Sequence, residues 1–198
     1  MNPFIDFIRN YIHLDEDESI LIEESLAEKR FGPDEIILQN HRTCKSLLFI
    51  VSGSARSFFI RDDGQEYTLN FHFNDKDSNF ENFFIVDYNS FLQQTPTPLA
   101  FQAIDATEAI ELHFDKFQQL LLTSHKVQAL VRIMTEQAYM AMHKRAFSLL
   151  TQSAKERYLQ LLKAEPHLLN KFQHYLIASY LGIAPQSLSR LRKEIQKQ

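Results

Sequence analysis

Near one end of the 198-residue sequence, Gln186, Ser187, Ser189, Arg190, Lys193 and Lys197 fall on one polar stripe. These residue types read base edges or hold phosphates: arginine pairs bidentately with guanine, glutamine with adenine, and lysine neutralises phosphate charge. Two other chemistries have less support. The eight histidines (13, 41, 72, 113, 125, 143, 167, 174) are scattered and include no His-x-His pair. A cupin-type barrel metalloenzyme needs clustered His and Glu on strands. His72 and His113 fall on strand-like segments, and each reads first as a lone imidazole. No catalytic residue, metal ligand or cofactor is therefore assigned, and no enzyme is expected. The single cysteine, Cys44, excludes an intrachain disulfide and a four-cysteine metal site. Arg42 and Lys45 beside it make a low-pKa redox thiol one reading; an ordinary surface or half-buried cysteine is the other.

The stripe needs a rigid support, and the pattern supplies one. In His174–Leu191, Ile177, Leu181, Ile183, Leu188 and Leu191 surround the small residues Ala178 and Gly182. Ile177 and Leu181 lie four apart and face inward from a first helix. Ala178 allows close crossing, and Gly182 takes the left-handed backbone of a tight turn. Pro185 suits the first turn of a second helix, whose inner face is Leu188, Leu191 and Ile195. This is a helix-turn-helix pattern with a basic outer face. The charge distribution agrees: residues 1–149 hold 13 Lys/Arg against 22 Asp/Glu, and residues 150–198 hold 8 against 3. A basic tail on an acidic body suits contact with a polyanion.

Upstream, residues 126–151 contain no Gly or Pro and read as one long helix. Val127, Val131, Met134, Ala138 and Ala141 step by four and three, which predicts a two-helix seam in a parallel homodimer. Leu130, Ile133, Met140 and Phe147 widen the stripe towards the helix's own barrel; packing wholly within one chain is the other outcome.

Residues 26–114 read as short strands between turn signals at Gly32-Pro33-Asp34, Ser52-Gly53-Ser54 and Asp62-Asp63-Gly64. Leu47–Val51 suits a strand buried on both faces. Tyr67, Leu69, Phe71 and Phe73 alternate with Thr68, Asn70 and His72, leaving the second face polar or lining a cavity. A short helix is predicted over 87–94, strands over 99–104 and 108–113, and a helix capped by Asp115. Two amphipathic helices precede the strands, one striped by Phe4, Phe7, Ile8 and Tyr11, the next by Ile20, Leu21 and Leu26. The class is α+β: an antiparallel β-roll of jelly-roll type, a long dimerisation helix and a small all-α helix-turn-helix domain. The expected domains are 1–124, 125–151 and 152–198. The aromatic segment around Phe71, Phe73, Glu81, Phe83 and Tyr88 either encloses a small apolar or weakly polar effector or is filled by its own side chains. No apolar run reaches membrane-spanning length, and the acidic N-terminus lacks a signal peptide's basic start, so a cytoplasmic protein with no membrane partner is expected.

The chain resembles the CRP/FNR family of bacterial transcription regulators, in what looks like its Bacteroidetes-type branch. The resemblance rests on Leu48-Phe49-Ile50-Val51-Ser52-Gly53-Ser54-Ala55, Asp62-Asp63-Gly64-Gln65-Glu66 and Ala178 through Arg190. It implies a cyclic-nucleotide-binding-like roll, a dimer helix, double-stranded DNA as partner, base contacts from Gln186, Ser187 and Arg190, and RNA polymerase as a further partner. One departure stands out. Members that bind cyclic AMP carry Gly-Glu and, some ten residues later, an arginine for the phosphate. Here Glu81 is placed at the glutamate, and no arginine lies between Arg61 and Arg132. A buried phosphate without a cation is costly, so cyclic AMP binding is not expected. Nor is an iron–sulfur cluster, for want of cysteines. Besides DNA binding, two readings stay open: a protein-contact module built on the same fold, and the metalloenzyme.

Overall fold

The computed structural model describes residues 2–195, the side chain of Glu81 excepted. The chain divides into two units, Met1–Ser57 with Phe71–Met140, and Phe58–Asn70 with Ala141–Gln198.

The first unit opens with α1 (Pro3–Arg9) and α2 (Glu16–Glu23). Strands β1 (Leu26–Phe31), β2 (Ile36–Leu38), β3 (Ser46–Ser52), β4 (Ser54–Ile60) and β5 (Glu66–Phe73) follow. After them come β6 (Phe84–Ile85), α3 (Tyr88–Gln93), β7 (Ala100–Ala103) and β8 (Thr107–His113). The strands form two four-stranded sheets, in the orders β1-β8-β3-β6 and β2-β7-β4-β5, with antiparallel ladders at β1·β8, β3·β8, β3·β6 and β2·β7.

Strand β3 shows why the roll needs a continuous apolar run. Leu47 and Phe49 join the core under the helices, whereas Leu48 and Ile50 join Ala55, Phe101 and Ala109 inside the roll. Gly53, at φ 84°, turns β3 into β4; a Cβ there would lie 2.3 Å from the Ala106 carbonyl oxygen. Phe4 and Phe7 of α1 pack with tilted rings against Phe49 at 5.2 and 5.0 Å between ring centroids, so the first helix closes the outer face of the sheet.

Two local expectations are corrected. In α2 the inward face is Ser19 and Ile22, while Ile20 and Leu21 are exposed and Leu26 opens β1. The reciprocal Asp15–Glu18 capping box fixes the start of α2, and Lys126 ties it down with a 2.6 Å bond to Glu18. Helix α4 (Phe114–Thr123) is capped by His113, whose ring accepts from the Asp115 amide; Asp115 lies in the first turn. Strand β8 runs straight into that helix, leaving the cap position to its last residue.

Helix α5 (His125–Thr151) starts in the first unit and ends in the second. Val127, Leu130 and Met134 are buried in the first unit's core and Val131 packs against it. Ala138 and Ala141 are half-buried. The expected seam is therefore largely the face the helix turns to its own unit. Met140, Phe147 and Leu150, on the opposite side, are 53%, 62% and 86% exposed. Leu130, assigned to the barrel side, is buried there, and α1 and α2 complete the core that also covers Val127 and Met134.

The second unit comprises the tip of the β4–β5 hairpin, the end of α5, α6 (Ala154–Ala164), α7 (Pro166–Lys171), α8 (His174–Leu181) and α9 (Pro185–Ile195). A second capping box, Ser153 with Glu156, starts α6 after the break at Gln152.

Candidate nucleic-acid interface

Helices α8 and α9 form the helix-turn-helix with the expected packing. Ile177, Ala178, Leu181 and Leu188 are almost fully buried. Gly182 adopts φ 72°; its amide donates to the Ser179 carbonyl and the Ile183 amide to that of Ala178, both at 3.0 Å. That pair of bonds ends α8 and satisfies its last carbonyls.

With Leu188 anchored, the other side of α9 faces solvent. Gln186, Ser187, Ser189, Arg190 and Lys193 are all exposed, and Lys197 lies outside the described residues. The Ser189 hydroxyl donates to the Pro185 carbonyl at 3.1 Å, so it offers lone pairs rather than a proton. Arg190 and Lys193 extend charge from a helix whose base is rigid, as base and phosphate contacts require.

Several polar side chains with structural roles were not assigned from the sequence. Arg157 donates to the Leu181 carbonyl at 2.9 Å, and Arg145 to that of Tyr180 while its guanidinium lies 3.7 Å from the Tyr180 ring centroid. Both cations thus sit at the negative end of α8, where the helix dipole favours them. Arg192 of α9 contacts the His174 ring of α8. No spacing rule links such residues, which are brought together by the crossing of separate helices.

The roll uses its buried polar groups internally. Asp87 caps α3 through the Asn89 amide at 3.1 Å and accepts from the Thr97 hydroxyl at 2.5 Å; Thr97 is fully buried. Asp87, unassigned in the sequence reading, is thus the carboxylate that binds the 95–98 segment. The side chain of Glu81 lies outside those described. Phe71 and Phe73 are fully buried, Phe83 meets Phe7 edge-on at 5.3 Å between ring centroids, and burial pushes the Tyr88 hydroxyl up to about 12. None of the four lines the roll's open cleft of about 340 Å³, whose walls include Phe31, Leu48, Ile85 and Phe101, with the Lys29–Glu111 pair at 3.2 Å.

His72 is 4% exposed, bonds Ser57 Oγ at 3.1 Å, and is pushed down to about 4 by burial, so it is a neutral core imidazole at pH 7. Cys44 is buried, and burial pushes its thiol up, against the redox reading. Among the described residues, no three His, Cys, Asp or Glu side chains are grouped so as to hold a metal ion, and no helix is long and apolar enough to cross a membrane.

No protein-family model and no curated protein matches the chain. Solved structures match along most of its length. FixK2 from Bradyrhizobium japonicum is 17% identical, with 87% of this chain and 85% of that chain covered and a TM-score of 0.69. The c-di-GMP responsive global regulator CLP of Xanthomonas campestris is 16% identical, with 92% of each chain covered and a TM-score of 0.69. A regulator assigned to the CRP/FNR family from Eubacterium rectale is 19% identical, covering 92% of this chain and 84% of that chain, again at 0.69. At these identities the likeness is one of fold: an antiparallel roll followed by helices, in the arrangement of CRP/FNR regulators.

Proposed function

We propose that the protein is a sequence-specific, DNA-binding transcriptional regulator that works in the cytoplasm as a homodimer and performs no enzymatic chemistry. The observation that carries this reading is the outer face of α9, where Gln186, Ser187, Arg190 and Lys193 stand exposed over a buried Leu188. The fold shared with known regulators supports it, and RNA polymerase is the further partner that such a role implies. The domains proposed are a sensory roll over 1–124, a dimer helix over 125–151 and a DNA-binding domain over 152–198.

The dimer is assigned to the exposed side of α5. Ile133, Met140 and Phe147 recur every seven residues, and Glu136, His143 and Leu150 interleave at the complementary spacing. A parallel two-fold pair sets each of these against its own copy. Of the sequence-assigned seam, Ala138 and Ala141 remain available at its margin.

The roll senses something other than cyclic AMP. The 95–98 segment supplies Thr97, whose hydroxyl is already bonded to the Asp87 carboxylate, so a cyclic phosphate there would meet an anion, and the segment itself carries no arginine. The cleft beside Lys29 and Glu111 favours an effector with an apolar body.

Selection from randomised duplexes, followed by binding at two salt concentrations, tests the reading. An inverted repeat with half-sites about one helical turn apart, bound less tightly at higher salt, is expected. Recovery of no palindrome, with binding indifferent to salt, would favour the protein-contact module.

A further inference from the structure

Two ionisable side chains stand in the exposed seam of α5, and the helix treats them differently. Glu136 carries its own counter-ion: the Arg132 guanidinium, one turn back, meets its carboxylate at 2.6 Å. Around His143 the helix offers no carboxylate. Tyr139 lies one turn back, Phe147 one turn on, and Lys144 beside it is a second cation. Between Glu136 and Glu156 the sequence holds no Asp or Glu, while Lys144, Arg145 and Lys155 add positive charge.

The His143 ring lies nearly parallel to that of Phe147, at 7° and 6.5 Å between centroids, so the imidazole leans on the apolar stripe. The groove of about 290 Å³ beside it is lined by Lys144, Phe147, Ser148, Gln152 and, from α6, Gln160. None of these is a carboxylate. Glu156, the first acid of α6, is committed to the capping box, where it accepts from the Ser153 amide and hydroxyl at 2.7 Å each.

Parallel pairing of two α5 helices sets His143 against its own copy, with Lys144 of each chain one residue away. Neutral imidazoles suit this place, because the N–H of one ring can donate to the bare nitrogen of the other. Two imidazolium ions do not: like charges would meet in an apolar seam, among further cations and no anion.

We propose that His143 makes the dimer acid-sensitive: the seam closes on neutral imidazoles, and protonation of the facing pair opens it. This rests on the homodimer reading of the exposed side of α5. Separate chains take up protons in the ordinary histidine range, near pH 6.5, and the closed seam refuses them. By linkage the dimer is favoured above that range and lost progressively as pH falls through it.

Sedimentation of the full chain from about pH 7.5 down to about pH 5.5 tests the proposal, with circular dichroism at each pH to separate dissociation from unfolding. The dissociation constant should rise about a hundredfold across that range, since two protons are taken up per dimer. His143→Leu and His143→Asn, both neutral and acceptable in a parallel seam, should remain dimers with a constant that changes by about threefold at most. His143→Lys, charged throughout, should weaken the dimer about tenfold or more at the upper pH. A parent constant indifferent to pH, a slope that survives in both neutral variants, or an unweakened lysine variant overturns the proposal. A parent that is monomeric at the upper pH, or a Met140→Glu, Phe147→Glu variant that stays dimeric, defeats the seam itself and the proposal with it. A flat pH series on a dimer that this double variant breaks defeats the acid switch alone.

Discussion

The interior of the roll and the outer face of α9 hold similar polar groups and treat them in opposite ways. Inside the roll, the Asp87 carboxylate is matched to Thr97 and two backbone amides, and His72 to Ser57. On α9, Gln186, Ser187, Arg190 and Lys193 stand in solvent on a helix fixed from below by Leu188. Buried polar groups must be paired locally or their desolvation goes uncompensated; exposed ones lose little by waiting for a partner. A carboxylate or imidazole in the sequence thus says little about ligand chemistry until burial is known, whereas a polar stripe over an apolar helix face says much.

Helix α5 gives the sharpest way to break this contrast, since both treatments occur on one element. Met134→Glu places a charge in the first unit's core and should cost about 3 kcal/mol or more, read as loss of cooperative folding in urea. Met140→Glu with Phe147→Glu should leave the fold intact and raise the dimer dissociation constant by about a hundredfold or more, because like charges then face their own copies. Sedimentation of the double variant as an unchanged dimer would show that the exposed seam is not the interface.

The next largest effect concerns His72. Its folded-state value of about 4 lies below the ordinary 6.5, so between those pH values the unfolded chain binds a proton that the folded chain refuses. Stability is then full above about pH 6.5 and declines as pH falls towards 4, by up to about 3 kcal/mol at 1.36 kcal/mol per unit. Urea titrations of the parent and of His72→Gln between pH 4 and 7 should show the parent's slope flattened in the variant. Equal slopes would remove His72 from the account.

On α9, Arg190→Ala should cost about 1–3 kcal/mol of DNA affinity and relax specificity at one base position per half-site. Lys193→Ala should weaken binding to all duplexes alike and reduce the salt slope by about one. If both variants behaved identically across sequences, α9 would be a phosphate-holding surface only.

The smallest effect tests the roll's closed polar centre. Thr97→Val should cost about 1–2 kcal/mol by leaving the Asp87 oxygen without its donor. Titration calorimetry with cyclic AMP should show no saturable heat for the parent or this variant.

The helix-turn-helix was legible in the sequence because its constraints are local. Ile177, Ala178, Leu181, Gly182 and Leu188 lie within twelve residues, and helical periodicity alone sends four of them inward and one into a left-handed turn. Strand β3 was equally legible, since a run such as Leu47–Ile50 must be buried on both faces. The length of α5 followed from the want of Gly and Pro, but its orientation did not: the sequence holds apolar residues on two faces, and only the docking of α1 and α2 decided which one is covered. The same holds for polar partners. Arg145 and Arg157 on the carbonyls of α8, Asp87 with Thr97, and Ser179 with the 66–68 backbone are pairings across chain separations that no periodicity encodes. Sequence fixes a side chain's direction relative to its own helix or strand through 3.6- and two-residue repeats. What that direction meets is settled when the elements pack, and here it separates polar groups already satisfied from those left exposed to a partner.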